Sequence, residues 1–150
     1  MESPLLLRRP AIEEALADGR GQQKVIVTSF YPREVPLTTP LWQGQNDAGQ
    51  RPVLLAPNLE LAVFNERAPQ DRHFHRQATE CYTVLAGSLT IEAAGEHYPL
   101  SAGDTLVLPP GIPHEVLRTT PFLAQVIIAN CSGPTDKFLA PHPEPPSPRR

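Results

Sequence analysis

At 150 residues the chain has room for one domain around one core and little room for two. Its 13 basic and 16 acidic side chains leave a net charge of −3, which argues against nucleic acid or an anionic membrane as partner. Nineteen prolines, well above the ~5% average, argue against long helices and for short strands joined by turns.

The chain opens with the short apolar run Leu5-Leu6-Leu7, followed by Arg8-Arg9. A secretory leader needs the charges first and a longer apolar stretch, and no run is long enough to cross a bilayer, so we expect a cytoplasmic protein. Cys81 and Cys131, the two cysteines, fit a reducing compartment and supply no disulfide framework. Residues 11–18 predict one short helix, with Pro10 in its first turn and Gly19 as its stop. Residues 24–30, carrying Val25, Ile26 and Val27, predict a strand. From 32 to 57 the chain is broken by prolines at 32, 36, 40, 52 and 57, and we expect irregular structure with short strands near 41–42 and 53–55.

Strand signals then recur at close intervals, over 59–64, 81–86, 89–93, 96–100, 105–108, 114–118 and 122–130. Gly87-Ser88, Ala94-Gly95, Ala102-Gly103-Asp104 and Pro109-Pro110-Gly111 separate several of them. Short strands punctuated in this way predict a β-sandwich or closed barrel. The last ten residues hold five prolines and little to bury, so 141–150 is expected to be an extended tail. The expected organisation is an N-terminal extension over 1–23, a β-barrel domain over 24–140, and the tail.

The chemistry concentrates around His73-Phe74-His75. Side chains two apart on a strand share a face, so both imidazoles aim at one region. Glu80 opens the next strand signal in phase with Tyr82, Val84 and Ala86. A carboxylate on so apolar a face needs a compensating charge, and a metal ion held with two histidines supplies one. His114 follows the stiff turn Pro109-Pro110-Gly111-Ile112-Pro113, which suits a side chain that must be held accurately. His97 and His142 read as solvated, and Cys81, which alternates with the inward face, as a buried thiol that is not a ligand.

In their order and spacing these residues resemble the cupin family. Its first motif, His-x-His, three or four residues, Glu, six residues, Gly, is matched by His73, His75, Glu80 and Gly87. Its second, Gly, five residues, Pro-x-Gly, two residues, His, three residues, Asn, is matched by Gly103, Pro109, Gly111 and His114. Two positions depart from the pattern: Arg67 stands where a glycine precedes the first histidine, and Arg118 replaces the closing asparagine. The resemblance covers roughly residues 58–130 and implies an all-β, jelly-roll (double-stranded β-helix) barrel, here with the short N-terminal helix added. It also implies one divalent transition metal on His73, His75, Glu80 and His114, and a homodimer, with residues 24–30 pairing between subunits. Three imidazoles and a carboxylate suit Fe, Mn, Ni, Cu or Zn and disfavour Ca or Mg. Four protein ligands leave positions open for substrate, water or dioxygen.

Phase with the ligands nominates Tyr82, Phe64, Gln125 and Arg118 as pocket residues, with Arg118 offering a fork for a substrate carboxylate. The alternative for Arg118 is an ordinary surface position, and for the last strand the phase of Val126 and Ile128 is as apolar as that of Gln125 and Ile127. The expected function is a metal-dependent enzyme, dioxygenase-like, acting on a small organic molecule, with Glu80 as ligand or base. A metal-dependent sugar isomerase or lyase, or a non-catalytic ligand-binding cupin, is the alternative, because this fold carries many chemistries.

Overall fold

A computed structural model describes residues 8–10, 13, 16, 59–68, 71–130 and 136–142, and the backbone of 24–29 and 54–55. Among them are ten strands: β1 (Lys24–Ser29), β2 (Leu54–Leu55), β3 (Leu59–Asn65), β4 (His73–His75), β5 (Thr79–Ala93), β6 (Glu96–Ser101), β7 (Thr105–Leu108), β8 (His114–Leu117), β9 (Phe122–Ala129) and β10 (Lys137–Leu139). The expected all-β jelly roll is what the chain forms. Glu13 and Leu16, within the expected helix, and Arg9 and Pro10, just before it, have helical backbone. The expected strand near 41–42 lies outside the described residues.

The strands run β10-β4-β8-β5-β9-β3-β1-β2, with β6 and β7 also paired to β5, in a sheet that curls on itself. β5 makes the curl. Residues up to Gly87 pair with β7 and β9, whereas Ser88 to Ala93 pair with β6 and β8. The two strands expected at 81–86 and 89–93 are therefore one strand with a corner. Gly87 turns that corner at φ +71°, and a Cβ there would lie 2.3 Å from the Pro121 carbonyl oxygen, so only glycine fits.

The core lies between the two walls so formed. Ala62 and Phe64 of β3, Tyr82 and Val84 of β5, and Ala124, Val126 and Ile128 of β9 face those of Leu89, Ile91 and Val116. The Phe64 ring meets Tyr82 and Phe122 edge-on, with centroids 6.1 and 5.6 Å apart. On the outer side, Val63, Leu123 and Leu16 form a second, smaller buried cluster.

Two expected pocket residues are corrected here. Gln125 pairs with Thr83 and Val63 on the outer side of β9, while its neighbours Ala124 and Val126 take the core. Both faces of β9 bury apolar residues, so alternation alone did not distinguish them. Arg118 is exposed, because β8 ends at Leu117 and the chain leaves the sheet before the phase of His114 and Val116 reaches it.

Candidate metal centre

The two walls meet around one carboxylate. Glu80 comes from the β7/β9 half of β5, and His73, His75 and His114 come from β4 and β8 of the opposite wall. His73 and His114 are register partners across β4 and β8, which brings their rings to a centroid separation of 4.5 Å. The period-two phase of His73 and His75 places both on the buried face of β4, their rings 5.1 Å apart. Glu80 Oε2 lies 2.7 Å from His114 Nε2, 3.2 Å from His75 Nε2 and 3.6 Å from His73 Nε2. All four residues are buried. The four residues nominated from spacing are thus brought together.

Hydrogen bonding fixes the state of the rings. Each Nδ1 faces a backbone carbonyl: His73 to Asp71 at 2.7 Å, His114 to Ile112 at 2.9 Å and His75 to Asp136 at 3.0 Å. A carbonyl only accepts, so each Nδ1 carries the proton and donates it, and in the neutral ring Nε2 presents a lone pair. Tyr82 donates its hydroxyl proton to Glu80 Oε1 at 2.7 Å and leaves Oε2 turned to the histidines. His75 Nε2, His114 Nε2 and Glu80 Oε2 are buried without a hydrogen-bond partner, close to one another but not aligned as donor and acceptor.

Lone pairs facing a carboxylate at this range require a cation between them. A proton is one such cation. Burial pulls the His73 pKa down to about 4 in spite of Glu80, so that ring is neutral near pH 7. Burial opposes charge on His114 as well, but the adjacent Glu80 outweighs it and raises the pKa above its ordinary value. Burial alone would raise the Glu80 pKa, yet the histidines, His114 foremost, hold it well below the usual carboxylate range. A transition metal is the other cation, and the donor set fits it. The candidate ligand atoms of His73, Glu80 and His114 lie within 4.8 Å of one another, and His75 adds a fourth through Glu80.

The other expected residues fall around this centre. Tyr82 holds Glu80 and packs on the core side, its ring 5.9 Å from that of His114, and Phe64 stands behind it. Cys81 points away from the ligands, and burial raises its thiol pKa, so it stays protonated. His97 and His142 are exposed as expected.

Spacing gives no hint of the segment that backs the centre. β10 pairs with β4, matching Lys137 to His75 and Leu139 to His73, and Phe138 stacks on Phe74 at 5.3 Å under the Arg76 guanidinium. The Asp136 carboxylate accepts from the amides of Arg76, Gln77 and Ala78 at 2.9–3.2 Å. Arg72 forms a buried two-pronged pair with Glu92, at 2.8 and 3.1 Å, and donates to the Pro141 carbonyl at 2.6 Å. Of the expected tail, Pro141 and His142 are therefore engaged, His142 lying 3.2 Å from Glu115, and 143–150 lies outside the described residues. A three-residue strand is too short to show a period, which is why β10 escaped the sequence.

Residues 61–128 match the family model described as Cupin domain. A search of curated proteins finds no match. Among solved structures, the Streptomyces nucleoside dehydratase Pac13 superposes with a TM-score of 0.50 at 16% identity, over 61% of this chain and 72% of that one. A conserved protein with a double-stranded β-helix domain from Klebsiella pneumoniae gives 0.48 at 20% identity, over 57% and 77%. A cupin protein from Bacteroides fragilis gives 0.41 at 23%, over 50% and 68%. At these identities the likeness is one of fold.

Proposed function

We propose, from the premise that this chain belongs to the cupin superfamily, that it is a metal-dependent enzyme acting on a small organic molecule, with a dioxygenase-type reaction as the leading reading. The observation that carries the reading is the convergence of the His75 and His114 Nε2 atoms and Glu80 Oε2, all buried and unpartnered, with each ring's Nδ1 proton already committed elsewhere. His73, His75, Glu80 and His114 would hold one divalent transition metal, which supplies Lewis acidity and open positions for a substrate. Tyr82 keeps the Glu80 carboxylate turned to the site, and the apolar wall of Phe64, Leu108, Val116, Val126 and Ile128 excludes water from it. Tyr82 and Phe64 remain the proposed pocket residues.

The test is elemental analysis of protein purified without added metal, with oxygen consumption followed alongside. About one metal ion per chain is expected, lost in the His73→Ala/His75→Ala double variant; full occupancy in that variant overturns the reading. Iron, copper or nickel with oxygen uptake supports the dioxygenase reading. Zinc or manganese without uptake moves the assignment to an isomerase or lyase. We also propose, from the family resemblance and the cysteine content, that the protein is a cytoplasmic homodimer. Light scattering at micromolar concentration tests the oligomeric state.

A further inference from the structure

The three histidines of the centre are not held alike. His73 and His114 each donate Nδ1–H to a carbonyl two residues back in their own segment, at Asp71 and Ile112. Their orientation is therefore local. His75 donates to the carbonyl of Asp136, 61 residues away in sequence. The same Asp136 gathers, with its side chain, the amides of Arg76, Gln77 and Ala78, which make up most of the link from His75 to Glu80. That carboxylate is buried, and the link's amides have it as their common acceptor. One residue thus fixes both the rotation of one ring and the reach of the loop to the carboxylate 3.2 Å from it.

We propose that Asp136 is the positioning residue of the metal centre, setting the His75–Glu80 geometry from the C-terminal strand. The inference rests on the metal reading above. Partners of this kind orient a ligand and typically change metal affinity about 10- to 100-fold when removed. Asp136 touches neither substrate nor reacting atoms in this role. It acts through His75 and the 76–78 loop, and the pairing of β10 with β4 carries its position to the site.

The test uses the full chain and cobalt(II) as probe, with affinity read by competition against a chromophoric chelator and coordination read from the visible absorption spectrum. Asp136→Ala is expected to bind cobalt about 10- to 100-fold more weakly and with an altered spectrum. Asp136→Asn, which keeps one acceptor oxygen, is expected to fall between Asp136→Ala and the natural protein. Leu123→Ala empties part of the outer cluster that Leu123 forms with Val63 and Leu16, away from the buried face that carries the site, and serves as the comparison for general destabilisation: it should lower the melting temperature and leave cobalt affinity and spectrum unchanged. Natural affinity and spectrum in Asp136→Ala overturn the inference, and so does an equal loss of affinity in Leu123→Ala. Should Asp136→Ala fail to fold, Asp136→Asn decides by the same measurements, and natural affinity and spectrum there are equally fatal. A natural protein that takes up no cobalt defeats the metal reading itself; one that binds while its Asp136 variants match it defeats this inference alone.

Discussion

The two oxygens of Glu80 face different neighbours, Oε1 the Tyr82 hydroxyl and Oε2 the three histidines. Its Oε1 accepts a hydrogen bond from the Tyr82 hydroxyl at 2.7 Å, a contact that a metal ion neither makes nor replaces. Tyr82→Phe therefore leaves a buried carboxylate oxygen without its donor and frees the group to rotate. We expect a loss of about 1–3 kcal/mol in stability, together with weaker metal retention, measured by urea unfolding and by metal content after dialysis. Unchanged stability and retention would mean that the hydroxyl is incidental. The four candidate ligands were legible at this scale because their spacing is dictated by the strands that present them: His73 and His75 by the two-residue period, His114 by the turn before it. Arg118 and Gln125 were not. The phase argument assumes a strand that continues, and β8 ends at Leu117; it also assumes one apolar face, and β9 has two. Asp136 was out of reach for another reason. Its partners are about sixty residues distant, and nothing local in an acidic residue before Lys-Phe-Leu announces them.

A single long strand, β5, joins the wall that presents Glu80 to the wall that presents the histidines, and its corner is a glycine. The sequence marked Gly87-Ser88 as a break between two strands, which located the corner but mistook a bend within one ladder for an interruption. The distinction is tertiary: hydrogen bonds pass from β7 and β9 to β6 and β8 at that point without a loop. Gly87→Ala meets two penalties at once, a left-handed φ of +71° and a Cβ 2.3 Å from the Pro121 carbonyl oxygen, where backbone must give way. We expect a loss of about 2–4 kcal/mol, combining the left-handed penalty with overpacking. Chemical denaturation measures it, and a loss below about 0.5 kcal/mol, the size of an ordinary surface change, would show that the corner adapts. The C-terminal element shows the opposite case. β10 is held by Arg72, whose guanidinium bridges Glu92 of β5 and the Pro141 carbonyl. Arg72 holds the Glu92 carboxyl below its ordinary value, outweighing the opposing effect of burial. A carboxyl with a depressed folded pKa contributes stability above its unfolded pKa, near 4.5, and that contribution fades as pH falls through the folded value. Glu92→Gln should thus cost about 1.5–3 kcal/mol near neutrality, since Arg72 keeps the Pro141 and Gln oxygens as acceptors but loses its buried counter-charge. The gap between the two proteins should narrow as pH drops below 4.5, and a gap constant from pH 7 to pH 3 would exclude the linkage.

At the scale of the described fold the two walls are held together in two ways, by an apolar core and by a cluster of metal-donor atoms that repel one another unless a cation joins them. A β-sandwich or barrel was visible in advance as short strands between Pro and Gly turns, and the jelly-roll topology came from the resemblance of the two motifs to the cupin family. The two-wall origin of the site was not, because only the curl of β5 puts Glu80 opposite the histidines. This origin has a thermodynamic consequence. A cation between Glu80 and the three imidazoles ties β4 and β8 to the N-terminal half of β5, so unfolding must release it. Without metal, the positive charge that Glu80 favours on His114, 2.7 Å away, serves instead, while the buried His73 stays neutral. A ligand that binds only the folded state adds RT ln(1 + [L]/Kd), about 2.7 kcal/mol when free metal stands at a hundred times its dissociation constant. For a chain of this size each kcal/mol moves Tm by about 2–4 °C, so a chelator should lower Tm by about 5–11 °C relative to metal-saturated protein. Far-UV circular dichroism at room temperature should be the same with and without chelator, because the core of Phe64, Tyr82, Ile91 and Val126 does not depend on the metal. Differential scanning calorimetry on protein shown by elemental analysis to have lost its metal makes the measurement. An unshifted Tm in that sample would mean that the four side chains close the barrel without a metal ion, and that the buried proton alone accounts for their convergence.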